Sequence, residues 1–154
     1  MNQSIIRPAR AGDYPQVEKL MQQVQALHVS WRPDIYKPCE TVLAYDHFLD
    51  AAAKGTMLVA ELDGEIVGLL SCMERHVESA RQVTRDVLFI DVMVVAESYR
   101  GQGIGRQMFD HLKLLAKEKH CDGIELQVNA RNAAAFEMYR HCGFSVKSIN
   151  MELL

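Results

Sequence analysis

Apolar residues along this chain change their period several times, and each change predicts an element. SIIRPA reads as a short first strand that stops near Pro8. Val17, Leu20, Met21, Val24 and Leu27 then recur at helical spacing and mark one helix face. Asp13, with Gln16 three residues later, is suited to cap that helix. SWRPDIYKPCE breaks the pattern, because Pro33 and Pro38 restrict the residues before them, and it reads as a loop. A second helix is expected from Val42 to Lys54, stopped by Gly55. TMLVAEL and EIVGLLSCMER flank Asp63-Gly64, which predicts a tight hairpin. VESARQVTRD reads as a charged connection to the next apolar run, Val87 to Val95. After RGQGIG the helical spacing returns, with Ile104, Met108, Leu112, Leu115 and Ala116 on one face. Gly123 to Val128 reads as a short strand. Ala133 to His141 reads as a helix capped by Asn132 and ended at Gly143, and FSVKSINMELL as a closing strand.

This order predicts an α/β (α+β) fold, a mixed sheet flanked by about four helices. With 154 residues and no linker, repeat or low-complexity stretch, one domain is expected over 1–154. The composition, 49% hydrophobic and 24% charged, belongs to an ordinary globular chain that needs no staples. A net charge of −3 offers no general basic field, so no nucleic-acid partner is expected. No apolar run approaches a membrane span of about 18 residues, and MNQSIIRPAR lacks an apolar signal core. A cytoplasmic protein without a membrane partner is the expectation. Cys39, Cys72, Cys121 and Cys142 are scattered and read as reduced thiols. His28, His47, His76, His111, His120 and His141 show no metal-ligand spacing, so no metal is expected.

Chemistry concentrates at RGQGIG, Arg100 to Gly105, between an apolar strand and a helix. The first amides of a helix lack partners within it, and the helix dipole favours an anion there. Gly101, Gly103 and Gly105 would let a phosphate approach the amides of Gln102, Gly103, Ile104, Gly105 and Arg106. Arg100 adds a guanidinium. A Walker loop needs GxxxxGK followed by Ser or Thr, whereas residues 101–108 read GQGIGRQM. A dinucleotide GxGxxG needs glycine where this chain has Arg106. A purely mechanical role also fits, in which the glycines let helix and strand pack closely.

Downstream lies NARNAAAFEMYRHCGF, with Asn132, Ala135, Tyr139, Gly143 and Phe144. Together with Arg100-x-x-Gly103-x-Gly105 after an apolar strand, this resembles the GNAT superfamily of acyl-CoA-dependent N-acyltransferases. The match runs from about Val87 to Phe144, with Glu97 where many members carry proline; the N-terminal part fits only in its order of elements. The resemblance implies a mostly antiparallel sheet splayed between two central parallel strands. It implies acetyl-CoA as cosubstrate, its pyrophosphate wrapped by the glycine loop and its arm lying in a splay between strands ending at Val95 and Val128. Backbone groups of Met93 and Val95, and Asn132, would hold that arm. The implied reaction is acetyl transfer to a primary amine by direct attack through a tetrahedral intermediate.

That reaction needs a neutral amine, although a lysine-like amine has a pKa of about 10.4. It needs a preorganised donor for the oxyanion and a proton for the leaving thiolate. The resemblance makes Tyr139 the general acid. Its ordinary pKa of about 10 exceeds a thiol's of about 8.5, so it holds its proton at neutral pH and can donate a hydrogen bond to the developing thiolate. A tyrosine that simply packs beside Phe136 and Met138 is the bland reading. The amide of Val94 is the favoured oxyanion donor. Asp91, set within FIDVMVV, is a candidate base, with Glu74 its competitor and water a third route. An Asp91 paired with Arg75 or Arg85 would instead be structural. Trp31, Asp34 and Tyr36 are candidate acceptor contacts, since aromatics beside a carboxylate suit a cationic amine. Small amines, polyamines, amino acids and peptide or protein amines all stay open as acceptors. A catalytically silent acyl-CoA-binding regulatory module is the alternative, which Tyr139 disfavours. Whether two copies pair as a homodimer is not legible in the pattern.

Overall fold

The computed structural model describes residues 3–154. The elements run β1 (Ile5–Pro8), α1 (Tyr14–Trp31), α2 (Tyr45–Lys54), β2 (Met57–Leu62), β3 (Glu65–Ser79), β4 (Gln82–Val95), α3 (Ile104–Glu118), β5 (Gly123–Leu126) and α4 (Ala133–His141). They form a five-stranded sheet in the order β1-β2-β3-β4-β5. The first four strands are antiparallel neighbours, and β5 joins β4 in parallel. The mixed α+β class is therefore as expected.

Alternation along the strands divides the core between the two faces of the sheet. On one face, Leu58, Ala60, Leu70, Cys72, Leu88 and Ile90 pack against Ile104, Met108, Leu112 and Ala116 of α3. On the other, Met57, Val59, Leu69 and Val94 pack against Val17 and Leu20 of α1 and Phe48 of α2. Gly68 is a contact position: a Cβ there would lie 3.1 Å from Ala60 Cβ and from Met108 Sδ and Cε. Among the described residues no helix is long and apolar enough to cross a membrane.

Four local expectations give way to longer-range partners. Asp13 does not cap α1 with its side chain. Its carboxylate accepts from both Arg7 terminal nitrogens, at 2.8 and 3.0 Å, and from the Arg10 amide at 2.7 Å, while Gln16 accepts from the Ile66 amide at 2.8 Å. The second helix begins at Tyr45 rather than Val42, because the amides of Val42 and Leu43 donate to Glu18 at 2.7 and 3.1 Å. The charged stretch 77–86 is no loop. It continues β3 and β4 as a ladder with His76 opposite Asp86, joined at 2.7 Å.

The last difference concerns FSVKSINMELL, which forms no strand. Side chains anchor it instead. Phe144 packs on Phe109 and Tyr139 at centroid separations of 5.2 and 5.6 Å, Lys147 pairs with Glu125 at 2.9 Å, and Glu152 pairs with Arg32 at 2.5 Å. The parallel pair β4–β5 therefore lies at the edge of the described sheet.

Candidate active site

β5 accompanies β4 only as far as Leu126 opposite Ile90, two residues short of the expected end at Val128. On its other side β4 carries a bulge at the same level. Ser71 faces Val92 and Cys72 faces Ile90, leaving Asp91 without a partner. The two strands thus part where β4 bends. A cleft of about 600 Å³ opens there, lined by β4 from Ile90 to Val95, residues 126–129, the glycine loop, α4 and the C-terminal half of α1.

The open side of β4 follows from the ladder. Ala96 donates its amide to the Val67 carbonyl at 2.8 Å. Hydrogen-bonded pairs recur every second residue in an antiparallel ladder, so Val94, opposite Leu69, also turns its amide to β3. The amides of Met93 and Val95 point the other way, into the cleft. This parity removes Val94 as a free oxyanion donor and leaves Met93 and Val95.

The three glycines of the loop serve different ends. Gly101 and Gly103 have φ of 78° and 83°, left-handed backbone that side chains resist. Gly103 is the N-cap of α3, and its carbonyl already accepts from the Gln107 amide at 3.0 Å. The next helical amides have no partner in the helix. Gly105 instead permits packing: a Cβ there would meet Met138 Sδ at 3.4 Å, Met93 Cε at 3.7 Å and Val95 Cγ2 at 3.8 Å. Arg100 and Arg106 both line the cleft. Part of Arg100 is internal scaffolding, since its Nε donates to the Val95 carbonyl at 3.1 Å.

Tyr139 and Asp91 line the same cleft. Tyr139 is held edge-on by Phe144, and its hydroxyl has no hydrogen-bond partner among the described residues. Burial pushes its pKa up to about 12. Asp91 is not buried in its apolar run, because the bulge turns it out to be solvent-exposed. Neither arginine neutralises it: Arg75 lies over the Phe89 ring at 3.5 Å, and Arg85 reaches Glu125 at 3.3 Å. Asn132 caps α4 as expected, accepting from the Ala135 amide at 3.2 Å, and lines the cleft.

A model of the acetyltransferase (GNAT) family matches residues 21–144. The chain belongs to the GNAT family. It is 27% identical over 114 residues to the uncharacterized N-acetyltransferase MJ1207 of Methanocaldococcus jannaschii, covering 74% of this chain and 50% of that protein. It is 26% identical over 102 residues to streptothricin acetyltransferase of Escherichia coli, covering 66% of this chain and 52% of that one. The chain thus spans about half the length of these curated relatives. Among solved structures, a mutant of the BH1408 protein from Bacillus halodurans is 30% identical with a TM-score of 0.90, over 97% of this chain and 98% of that one.

Some residues singled out in this GNAT chain lie away from the cleft. Glu74, opposite Leu88 on β3, pairs with Lys119 at 3.4 Å and does not line it. Asp34 is exposed and spent on Arg32, at 2.9 and 2.7 Å. Gln102 does not line the cleft, nor does Tyr36, which stacks on His28 at 4.8 Å. Trp31 does line it, together with Val24, Leu27 and His28, which no motif marked for a role in the site. The signal for Val24 and Leu27 was present: the apolar face of α1 outlasts the core, and Leu27 is 37% exposed. Among the described residues, no three His, Cys, Asp or Glu side chains gather to hold a metal ion.

Proposed function

We propose that the protein is an acetyl-CoA-dependent N-acetyltransferase acting on a primary amine. The observation that carries this reading is the convergence, in one cleft, of a left-handed glycine loop at a helix head, the unpaired edge of β4, Tyr139 and Asp91. Acetyl-CoA supplies the activated acetyl group. The loop suits its pyrophosphate, because Gly101 and Gly103 bare the backbone where α3 has unpartnered amides and Arg106 and Arg100 add positive charge. The Met93 and Val95 amides offer hydrogen bonds to the pantetheine arm, as an added strand would use them. One of these amides, aimed at the thioester oxygen, is the donor that stabilises the oxyanion.

Tyr139 holds the proton for the departing thiolate. A hydroxyl raised to about 12 by burial keeps its proton at neutral pH and donates a hydrogen bond to the departing thiolate. Complete transfer to a group whose acid has a pKa of about 8.5 is uphill, so the proton is made good by the one the amine loses. Asp91 supplies the negative charge that draws an ammonium toward the thioester, and the amine proton leaves to a carboxylate or to water.

Two measurements on the purified chain test the reading. Acetyl-CoA should raise its melting temperature saturably, and a panel of amines should release free coenzyme A thiol. No thermal shift at millimolar acetyl-CoA would overturn the proposal. A shift without thiol release from any amine would select a silent acyl-CoA-binding module instead.

A further inference from the structure

The acceptor end of the cleft has an unusual inventory of charge. Beyond Asp91 its wall is the last turns of α1, where Val24, Leu27 and Trp31 face the opening with His28 among them. Asp91 is the only carboxylate among the described residues that line the cleft. The two acids that pair with Arg32, the residue after Trp31, are already committed. Arg32 holds Asp34 at 2.7 Å and Glu152 at 2.5 Å. Arg131 donates to the Trp31 carbonyl at 2.6 Å, with no carboxylate in ion-pair range among the described residues.

His28 adds no charge to this wall. It is half-buried, stacked on Tyr36 at 4.8 Å and tilted against Trp31 at 5.9 Å. Neither ring nitrogen has a hydrogen-bond partner among the described residues, and burial holds its pKa below the ordinary histidine value. At neutral pH it is an uncharged, flat surface. Apolar side chains left facing a concave opening mark the place of an apolar ligand body.

We propose that the acceptor is an amine with a single positive charge on an apolar, flat body, its ammonium directed at Asp91 and its body laid against Leu27, His28 and Trp31. This rests on the acetyltransferase reading above. A polycation would bring a second ammonium against apolar side chains, with no free carboxylate among the described residues of that wall to receive it.

The test uses the whole chain with three probes at matched concentration, read by release of coenzyme A thiol. Phenylethylamine carries the charge and the body, methylamine the charge alone, and spermidine several charges without a ring. Phenylethylamine should exceed each of the others at least tenfold in kcat/KM. Leu27→Asp, which adds a second carboxylate to the wall, should narrow the phenylethylamine-to-spermidine ratio at least fivefold with the acetyl-CoA KM within twofold. Should that variant fail to fold, the wild-type panel decides alone. Equal or faster acetylation of spermidine or methylamine overturns this inference while leaving the acetyltransferase reading intact. An acetyl-CoA thermal shift with no transfer to any amine overturns both.

Discussion

Ile90 pairs with Leu126, and beyond that pair β4 and β5 separate. The bulge residue Asp91 follows Ile90 directly, so one local irregularity both opens the cleft and delivers the only carboxylate that lines it among the described residues. A regular ladder would have placed Asp91 opposite a β3 residue.

Asp91→Asn should therefore lower amine turnover at least tenfold while keeping the acetyl-CoA KM within twofold. Glu74→Gln should stay within twofold of wild type in both constants, since Glu74 is paired with Lys119 outside the cleft. Steady-state kinetics on the two variants, side by side, check this. The reverse ranking would move the acceptor site to the other end of β3.

Tyr139→Phe removes only the hydroxyl and keeps the edge-on contact with Phe144. Turnover should fall at least tenfold with acetyl-CoA affinity nearly unchanged, a loss of roughly 1.4 kcal/mol or more in the transition state. Because burial raises this hydroxyl to about 12, it stays protonated across neutral pH. The pH–rate profile of the wild type should show no loss assignable to Tyr139 below about pH 10.

At Gly103, φ is 83°, so any side chain meets left-handed strain of roughly 1–2 kcal/mol. Gly103→Ala should raise the acetyl-CoA KM by about 5- to 30-fold as the loop relaxes away from its amide-presenting shape. The change should spare the melting temperature to within a few degrees, because a Cβ there meets nothing within 4 Å. Isothermal titration with acetyl-CoA separates this effect from lost turnover.

Stability should depend on acid through the cluster that replaces the expected helix cap. Arg7, which also reaches Glu61 at 2.7 Å, holds the Asp13 carboxyl below its ordinary value, against the opposing cost of burial. The two side chains are only 12% and 11% exposed. Asp13→Asn should cost roughly 3 kcal/mol at neutral pH, or about 6–12 °C in melting temperature. A carboxyl with a depressed folded pKa stabilises fully above its unfolded value of about 3.9. The contribution is lost as pH falls through the depressed folded value. Melting curves of wild type and variant should therefore converge as the pH falls below about 4.

Much of this fold was legible along the chain. The helix after the glycine loop, the Asp63-Gly64 hairpin and the Asn132 cap rest on contacts between residues close in sequence, so composition and spacing sufficed. The stretch 77–86 was misread because a cross-strand partner such as Asp86 for His76 satisfies charges that would otherwise favour a loop. The last eleven residues carry the alternation of a strand, yet they are held by Phe144, Lys147 and Glu152 side chains rather than by a ladder.

Local sequence was enough for the left-handed glycine loop at the head of α3 and for the tyrosine on α4. Glycines that release the backbone and a strand-to-helix junction are local facts, and the spacing that sets Tyr139 on its helix is local too. Which groups those features work with was settled by contacts across the fold. The parity of the β3–β4 ladder turns the amides of Met93 and Val95, not Val94, to the open side. Distant partners neutralise Glu74, a near neighbour takes up Asp34, and Asp91 is left free in the cleft. The end of α1 brings Val24, Leu27, His28 and Trp31 to the same opening. Ladder register and long-range ion pairing join residues far apart in the chain, and no period within a single segment records either.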